Sequence, residues 1–440
     1  MSDVLDDIYN AFDPFRPLPA GDPAYVDCQD VRGDNNVLID LGRGLTRSRQ
    51  LTYQLYSGHR GAGKSTELLR LKADLESKGF FVVYFAADEQ DTNSEDTEYT
   101  DILLACTRHL LEELRSVNSK PVMDWVKSRL DELKDLALMD VSADNLNAEV
   151  QLAIFAKLTA NVRTEPTQRQ RIRQKINPYT TTLIEALNEF IANAQKKLPN
   201  NKSQLVVIAD NLDRIVPFSQ DSGRSNHEEI YLDRSEQLKA LKCHTIYTVP
   251  ISMVYSKWAN DLKTNYGNIQ VLPMIMVQDQ HGKPCDEGLM KMKDIIARRI
   301  KPYAPDLELD SQVFDSPDTL KKLCLMSGGH IRELMLLAQE AVNRTDQLPI
   351  SAKAVQRAIT ELRNNVYRRT VEEDQWTVLA KVSQTKDIQN DNQHRSLLFN
   401  RCLLEYRYLD NQGELSTWYD VHPLIKDLPQ FQNAVDTLKL

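Results

Sequence analysis

A chain of 440 residues with 41% hydrophobic residues and a formal net charge of −9 is too long for one compact core and too acidic to bind nucleic acid through overall charge. No apolar run approaches the roughly 18–20 residues that span a bilayer, and the acidic start Met1-Ser2-Asp3-Val4-Leu5-Asp6-Asp7 lacks the basic-then-apolar order of a secretory signal. Six cysteines stand singly (Cys28, Cys106, Cys243, Cys285, Cys324, Cys402), which excludes zinc ribbons and disulfide frameworks and predicts a reducing, cytoplasmic setting.

Residues 1–50 are rich in turn formers, among them Asp13-Pro14, Arg16-Pro17-Leu18-Pro19 and Ala20-Gly21-Asp22-Pro23. They read as an N-terminal strap, ending in a short helix that carries Val37, Leu38, Leu41 and Leu45. An extended apolar run, Leu51 to Tyr56, leads into Gly58-His59-Arg60-Gly61-Ala62-Gly63-Lys64-Ser65-Thr66, and a helical run follows. Strand, glycine-rich loop and helix N-terminus are the parts that hold a polyphosphate. The glycines let successive N–H groups turn inward, Lys64 reaches the β- and γ-phosphates, and the Ser65 hydroxyl completes a Mg²⁺ shell made largely of water. Gly79 then ends the helix before a β-rich run, Phe80 to Ala86, giving a strand–helix–strand unit.

Residues 100–200 are helical by period, with one apolar face on Leu103, Leu104, Leu110, Leu111 and Leu114 and another on Leu183, Ile184, Leu187, Phe190 and Ile191. Between them lies a basic cluster, Arg163, Arg169, Arg171, Arg173 and Lys175, which reads first as a solvated helix face and second as a partner or nucleic-acid contact. A buried-type strand, Leu205 to Ala209, runs into Asp210-Asn211-Leu212-Asp213. Asp210 ends a strand able to lie beside the P-loop strand, so it is the expected direct or outer-shell Mg²⁺ carboxylate, with capping of the next turn as the ordinary alternative. Asn211 polarises water without taking its proton. Asp213 is therefore the expected water-positioning carboxylate, with Glu228-Glu229 of the following polar loop as alternatives. Thr248, ending the run Thr245 to Val249, either bonds a γ-phosphate or its attacking water, or closes the strand as an ordinary threonine. Ile269 to Val277 supplies a fifth strand, with Pro273 suited to an edge.

Taken in order, Gly58 to Ser65, the strand ending in Asp210-Asn211-Leu212-Asp213, and Ser327-Gly328-Gly329-His330-Ile331-Arg332-Glu333-Leu334 resemble AAA+-type ATPases. The likeness is strongest to the branch joining the origin-recognition initiators to the STAND signalling ATPases. It implies an α/β fold: a parallel-sheet P-loop NTPase core over 51–285, a helical lid over 286–365 and a winged-helix-like domain over 366–440. It implies ATP and Mg²⁺ as cofactors and Arg332 as the lid arginine that touches the γ-phosphate. It also places Val31-Arg32-Gly33 near the adenine and offers Arg298 or Arg299 as an arginine finger for a neighbouring subunit. Asn211 stands where the family's acid motif usually has Glu, a pattern closer to STAND proteins and to slow turnover. No Asn-Lys-x-Asp guanine-reading motif occurs, which disfavours GTP.

In the C-terminal part, Leu397 to Leu404 and the hairpin formed by Glu405 to Tyr408 and Thr417 to Val421 resemble the last helix and wing of a winged-helix domain. Residues 351–440 hold 12 Lys/Arg against 12 Asp/Glu, so this module lacks the basic stripe of a DNA reader and is expected to pack between domains. The reading is an ATPase of low turnover, a molecular switch whose nucleotide state controls homo-oligomerisation or a separate effector protein; bacterial defence or stress is the setting that the family resemblance alone implies. An initiator-like ATPase on DNA and a non-hydrolysing ATP-bound scaffold are the alternatives, and no membrane partner is expected.

Overall fold

The computed structural model describes residues 4–198, 202–220 and 223–438. Met1, Ser2 and Asp3 of the acidic N-terminal segment lie outside the described residues.

Five strands make one parallel sheet: β1 (Tyr53–Gly58), β2 (Phe80–Ala86), β3 (Gln204–Asp210), β4 (His244–Thr248) and β5 (Gln270–Leu272), in the order β2-β3-β4-β1-β5. β3 is buried from Leu205 onward, as expected of an inner parallel strand covered on both faces. The order corrects one expectation. β3 does not lie beside the P-loop strand, because β4 pairs with both (Val207 opposite Thr245, Leu55 opposite Tyr247). The strand expected to reach Val277 also stops short, at Leu272. Beyond Pro273 the chain turns its donors away from the sheet, Met274 N to Glu405 O at 3.0 Å and Met276 N to Val31 O at 3.0 Å.

Among the described residues, six helices longer than one turn, from Tyr99–Glu113 to Thr180–Gln195, lie between β2 and β3 and share one apolar core with the sheet. The basic cluster there is not simply a solvated face. Arg169 and Arg173 are buried, and they hold Asp96, Glu98 and Asp101 at the base of the insertion, with Arg173 to Asp101 Oδ2 at 2.5 Å. A buried guanidinium persists only with its charge met by carboxylates, and three converge here.

A second core joins the helices Asp286–Ile300, Pro317–Met326, Ile331–Asn343 and Ala352–Leu362 to the N-terminal helix Val4–Ala11 and to the C-terminal helices. The last part combines helices Gln375–Thr385 and Asn392–Phe399 with the antiparallel hairpin of β6 (Leu403–Leu409) and β7 (Leu415–Val421), a winged-helix-like arrangement. Leu404, Tyr406 and Trp418 of this hairpin enter a third core, under the P-loop helix Lys64–Ser77. The wing is thus packed on the sheet domain, as its neutral charge suggests. Among the described residues no helix is long and apolar enough to cross a membrane. The six cysteines are unpaired.

Candidate nucleotide-binding site

The P-loop leaves β1 at Gly58 (φ +141°) and enters its helix through Gly63 (φ +109°). A Cβ on Gly58 would lie 2.6 Å from the Leu272 carbonyl, so strand packing as well as dihedral preference demands glycine there. Lys64 is buried, and its Nζ donates to Gly58 O (2.8 Å) and His59 O (2.9 Å) while pairing with Asp213 Oδ2 at 2.9 Å. The lysine expected on the phosphates is therefore folded back into its own loop and onto Asp213. The other Asp213 oxygen, Oδ1, is buried without a partner.

Asp210 ends β3 fully buried. Its Oδ2 accepts from the Tyr84 hydroxyl at 2.8 Å and its Oδ1 from Asn211 N at 2.7 Å, and the Ser65 hydroxyl also bonds its side chain. Burial raises its pKa and the Asp213 charge raises it further, against those three hydrogen bonds. Ser65 and Asp210 thus meet although their strands are not neighbours. As hard oxygen donors in contact they fit Mg²⁺, which would complete its shell with phosphate oxygens and water. No group of three His, Cys, Asp or Glu able to hold a metal by itself occurs among the described residues.

Thr248 is used differently from the phosphate contact considered above. It is fully buried, and its Oγ1 accepts from Leu212 N at 2.9 Å, fixing the turn that carries Asp213. Glu228 and Glu229 belong to helical turns rather than a loop, and Glu229 faces Gln220 and Arg234.

A cavity opens over the loop. The strap forms one wall with Asp13 to Leu18 and Ala24 to Val26, and the lid helices form the other with Ile295, Arg299, Ile331, Arg332 and Met335. Leu18, Val26, Ile295, Ile331 and Met335 give the cavity an apolar lining suited to a base, while Arg16 and Arg332 line it as cations together with Lys64. Arg332 donates from Nε to Pro14 O at 3.2 Å and lies 5.4 Å over the Phe15 ring. Its backbone N–H donates to Gly61 O, which seats the start of the lid helix on the P-loop. Burial, then the charges of Arg214 and Arg401, bring the Arg332 pKa down to about 10, so it remains a cation at neutral pH. Arg32 is buried, lines the same cavity and donates to Ala62 O at 2.8 Å. The two arginines considered as fingers diverge. Arg299 lines this chain's own cavity, and Arg298 is exposed and bonded to Tyr25 O.

Sequence reasoning missed what grips the loop from the C-terminal side. His59 accepts at Nε2 from Glu405 N of β6 at 3.1 Å, and the Arg60 guanidinium sits 4.7 Å over the Phe399 ring. His330 donates from Nε2 to Arg60 O at 2.7 Å while its Nδ1 accepts from Glu333 N at 3.0 Å. Burial holds His59 neutral, with its pKa pushed down to about 3, and lowers His330 as well. Tyr406 adds a bond from its hydroxyl to Gly328 O at 2.8 Å. The two non-glycine residues that open the loop thus point into the C-terminal module. Local sequence carries no signal for this, since Glu405 is 346 residues from His59.

No protein-family model matches the chain, and no curated protein does. Among solved structures it is similar to the ORC1 protein of Aeropyrum pernix in complex with DNA (TM-score 0.40), Cdc6p of Pyrobaculum aerophilum (0.40) and a Walker-type ATPase of Pyrococcus abyssi (0.42). Each is 12% identical and matches over 98% of this chain and 96%, 98% and 100% of its own length, respectively. Likeness at that level transfers no role. Strand order, glycine loop and the Ser65–Asp210 contact make this chain an α/β P-loop NTPase fold with helices over the loop and a winged-helix-like C-terminal part.

Proposed function

We propose that the chain is an ATP- and Mg²⁺-binding switch of the AAA+/STAND type, slow in hydrolysis, whose nucleotide state sets the packing of its C-terminal module. The observation that carries this is the double use of the P-loop. Its backbone and Lys64 form the phosphate cradle, while His59 and Arg60 hold β6 and Phe399. Phosphates entering the cradle compete with Asp213 for Lys64, which also bonds the His59 carbonyl. A changed loop therefore changes the contact made by the His59 side chain. Arg332 supplies a second link, since it stands at the start of the lid helix with its guanidinium in the cavity. ATP is the nucleotide favoured, because the chain lacks a guanine-reading motif.

The output proposed is self-association or recruitment of a separate effector. Light-scattering mass measured with ATP, with ADP and without nucleotide tests it, with Lys64→Ala beside wild type. A larger assembly seen only with ATP and lost in Lys64→Ala is expected. An unchanged mass refutes an oligomerising switch. The initiator-like alternative is equally supported by the fold; the burial of Leu397, Leu398, Phe399 and most of β6 within the chain is the observation by which the switch is placed first.

A further inference from the structure

The turn after β2 carries a carboxylate that the site described so far does not use. Ala87–Gln90 is one helical turn, and its neighbours are tied on both sides. The Asp88 carboxylate accepts from Asn211 Nδ2 at 2.7 Å and Arg214 at 2.7 Å. Gln90 accepts from Arg108, and Asp91 holds Arg108 at 2.7 Å and His109 at 2.8 Å. Glu89 stands between these anchors, exposed on the cavity wall, with no hydrogen-bond or ion-pair partner among the described residues.

The other carboxylates around the cavity have partners: Asp213 pairs with Lys64 through Oδ2 while its Oδ1 has none, Glu67 holds Arg70 and Tyr25, and Asp13 accepts from Phe15 N. Asp210 is engaged by Tyr84 and Ser65. Tyr84 lies on the same strand that leads to Glu89, so the C-terminal end of β2 already reaches the metal side of the loop. A general base must reach the water and be free of a competing cation. Glu89 lines the cavity without a cationic partner, and Asn211, which occupies the position after the metal carboxylate, cannot take a proton.

We propose that Glu89 activates the attacking water in triphosphate hydrolysis, a role that rests on the nucleotide reading above. Its carboxylate removes one proton as the water oxygen bonds to the γ-phosphorus. The bond from that phosphorus to the bridging oxygen breaks, its electron pair leaves on the diphosphate, and the proton passes from Glu89 to a product phosphate oxygen.

The test measures ATP affinity and single-turnover hydrolysis in Mg²⁺ for wild type, Glu89→Gln, Glu89→Asp and Asp213→Asn. Glu89→Gln should lose roughly 10²–10⁴-fold in rate, the usual contribution of a general base, with ATP affinity within about threefold of wild type. Glu89→Asp should recover part of the rate, and the loss in Glu89→Gln should exceed that in Asp213→Asn. Full activity in Glu89→Gln, or a rate loss confined to Asp213→Asn, overturns the assignment. Wild-type protein that binds ATP without turning it over also overturns it, yet leaves the binding site standing. Failure of wild type to bind any nucleotide instead removes the reading on which it rests.

Discussion

The Lys64–Asp213 pair predicts that Asp213→Asn tightens nucleotide binding. Lys64 Nζ lies 2.9 Å from Oδ2, with both side chains 4% exposed. At an effective dielectric of about 20 the attraction is bounded near ~6 kcal/mol, and the desolvation of both ions cancels much of it. What changes on substitution is smaller. An amide oxygen replaces a carboxylate, so a charge-assisted bond of about 1.5–3 kcal/mol becomes a neutral one of about 0.5–1.5 kcal/mol. Repulsion between Asp213 and the incoming phosphates is removed as well, and both effects have the same sign. Together they predict a gain of about 1.5–3 kcal/mol, or roughly 10–100-fold in Kd. Titration of a fluorescent ADP with Mg²⁺ reads this directly. The same substitution in a Lys64→Ala background separates competition from simple repulsion, and there the gain should shrink. An unchanged or weaker Kd in Asp213→Asn refutes the reasoning. A gain of the same size without Lys64 refutes its competitive part.

Further outcomes follow from the contacts around the loop. Phe399→Leu removes the cation–π contact with Arg60, worth about 0.5–2 kcal/mol, and should raise amide exchange in Leu403–Leu409 without nucleotide; unchanged exchange there argues against the grip. Tyr406→Phe deletes only the bond to Gly328 O and should cost about 1 kcal/mol of stability, read as a lowered Tm with the hairpin still folded. His59 has its pKa lowered from 6.5 to about 3, so below 6.5 the unfolded chain takes up a proton that the folded chain refuses. Its contribution is present above pH 6.5 and is lost as pH falls towards 3, at up to about 1.4 kcal/mol per pH unit. The stability difference between wild type and His59→Gln should accordingly shrink from pH 7 to pH 5, and a constant difference would contradict a neutral, buried His59. Arg332→Ala should weaken ATP more than ADP if the guanidinium reaches a third phosphate, which paired titrations measure.

The parts that could be read from sequence are those whose physics is local. Phe80 to Ala86 and Leu205 to Ala209 announce themselves as strands because continuous β-branched and aromatic runs suit a parallel sheet covered on both faces. The loop from Gly58 to Ser65 is recognisable because its spacing answers to phosphate geometry. The hairpin turn Asp410-Asn411-Gln412-Gly413 is built of turn-forming residues, and Gly413 takes the positive φ (82°) such a turn requires. Strand order is another matter. That β4 lies between β1 and β3 depends on crossovers, and no short window of sequence records them. The fates of Arg169 and Arg173 were hidden likewise, because their partners Asp96 and Asp101 lie 73 and 72 residues away.

His59 and Arg60 mark where a motif stops informing. In a phosphate cradle the backbone N–H groups and the lysine face the ligand, so side chains at the intervening positions are free to point elsewhere. Motif recognition treats those positions as arbitrary, and here they carry the contacts to Glu405 and Phe399. A module that bonds these side chains shares backbone with the atoms that must move to admit phosphate. It can therefore respond to nucleotide without touching it, provided the loop has two conformations that differ at His59. Lys64 links those atoms already, for its Nζ holds the His59 carbonyl and Asp213 together. In the switch proposed above, phosphate taking Lys64 costs the His59 peptide a hydrogen bond at the residue whose ring holds β6. The proposed coupling requires no path longer than that single residue.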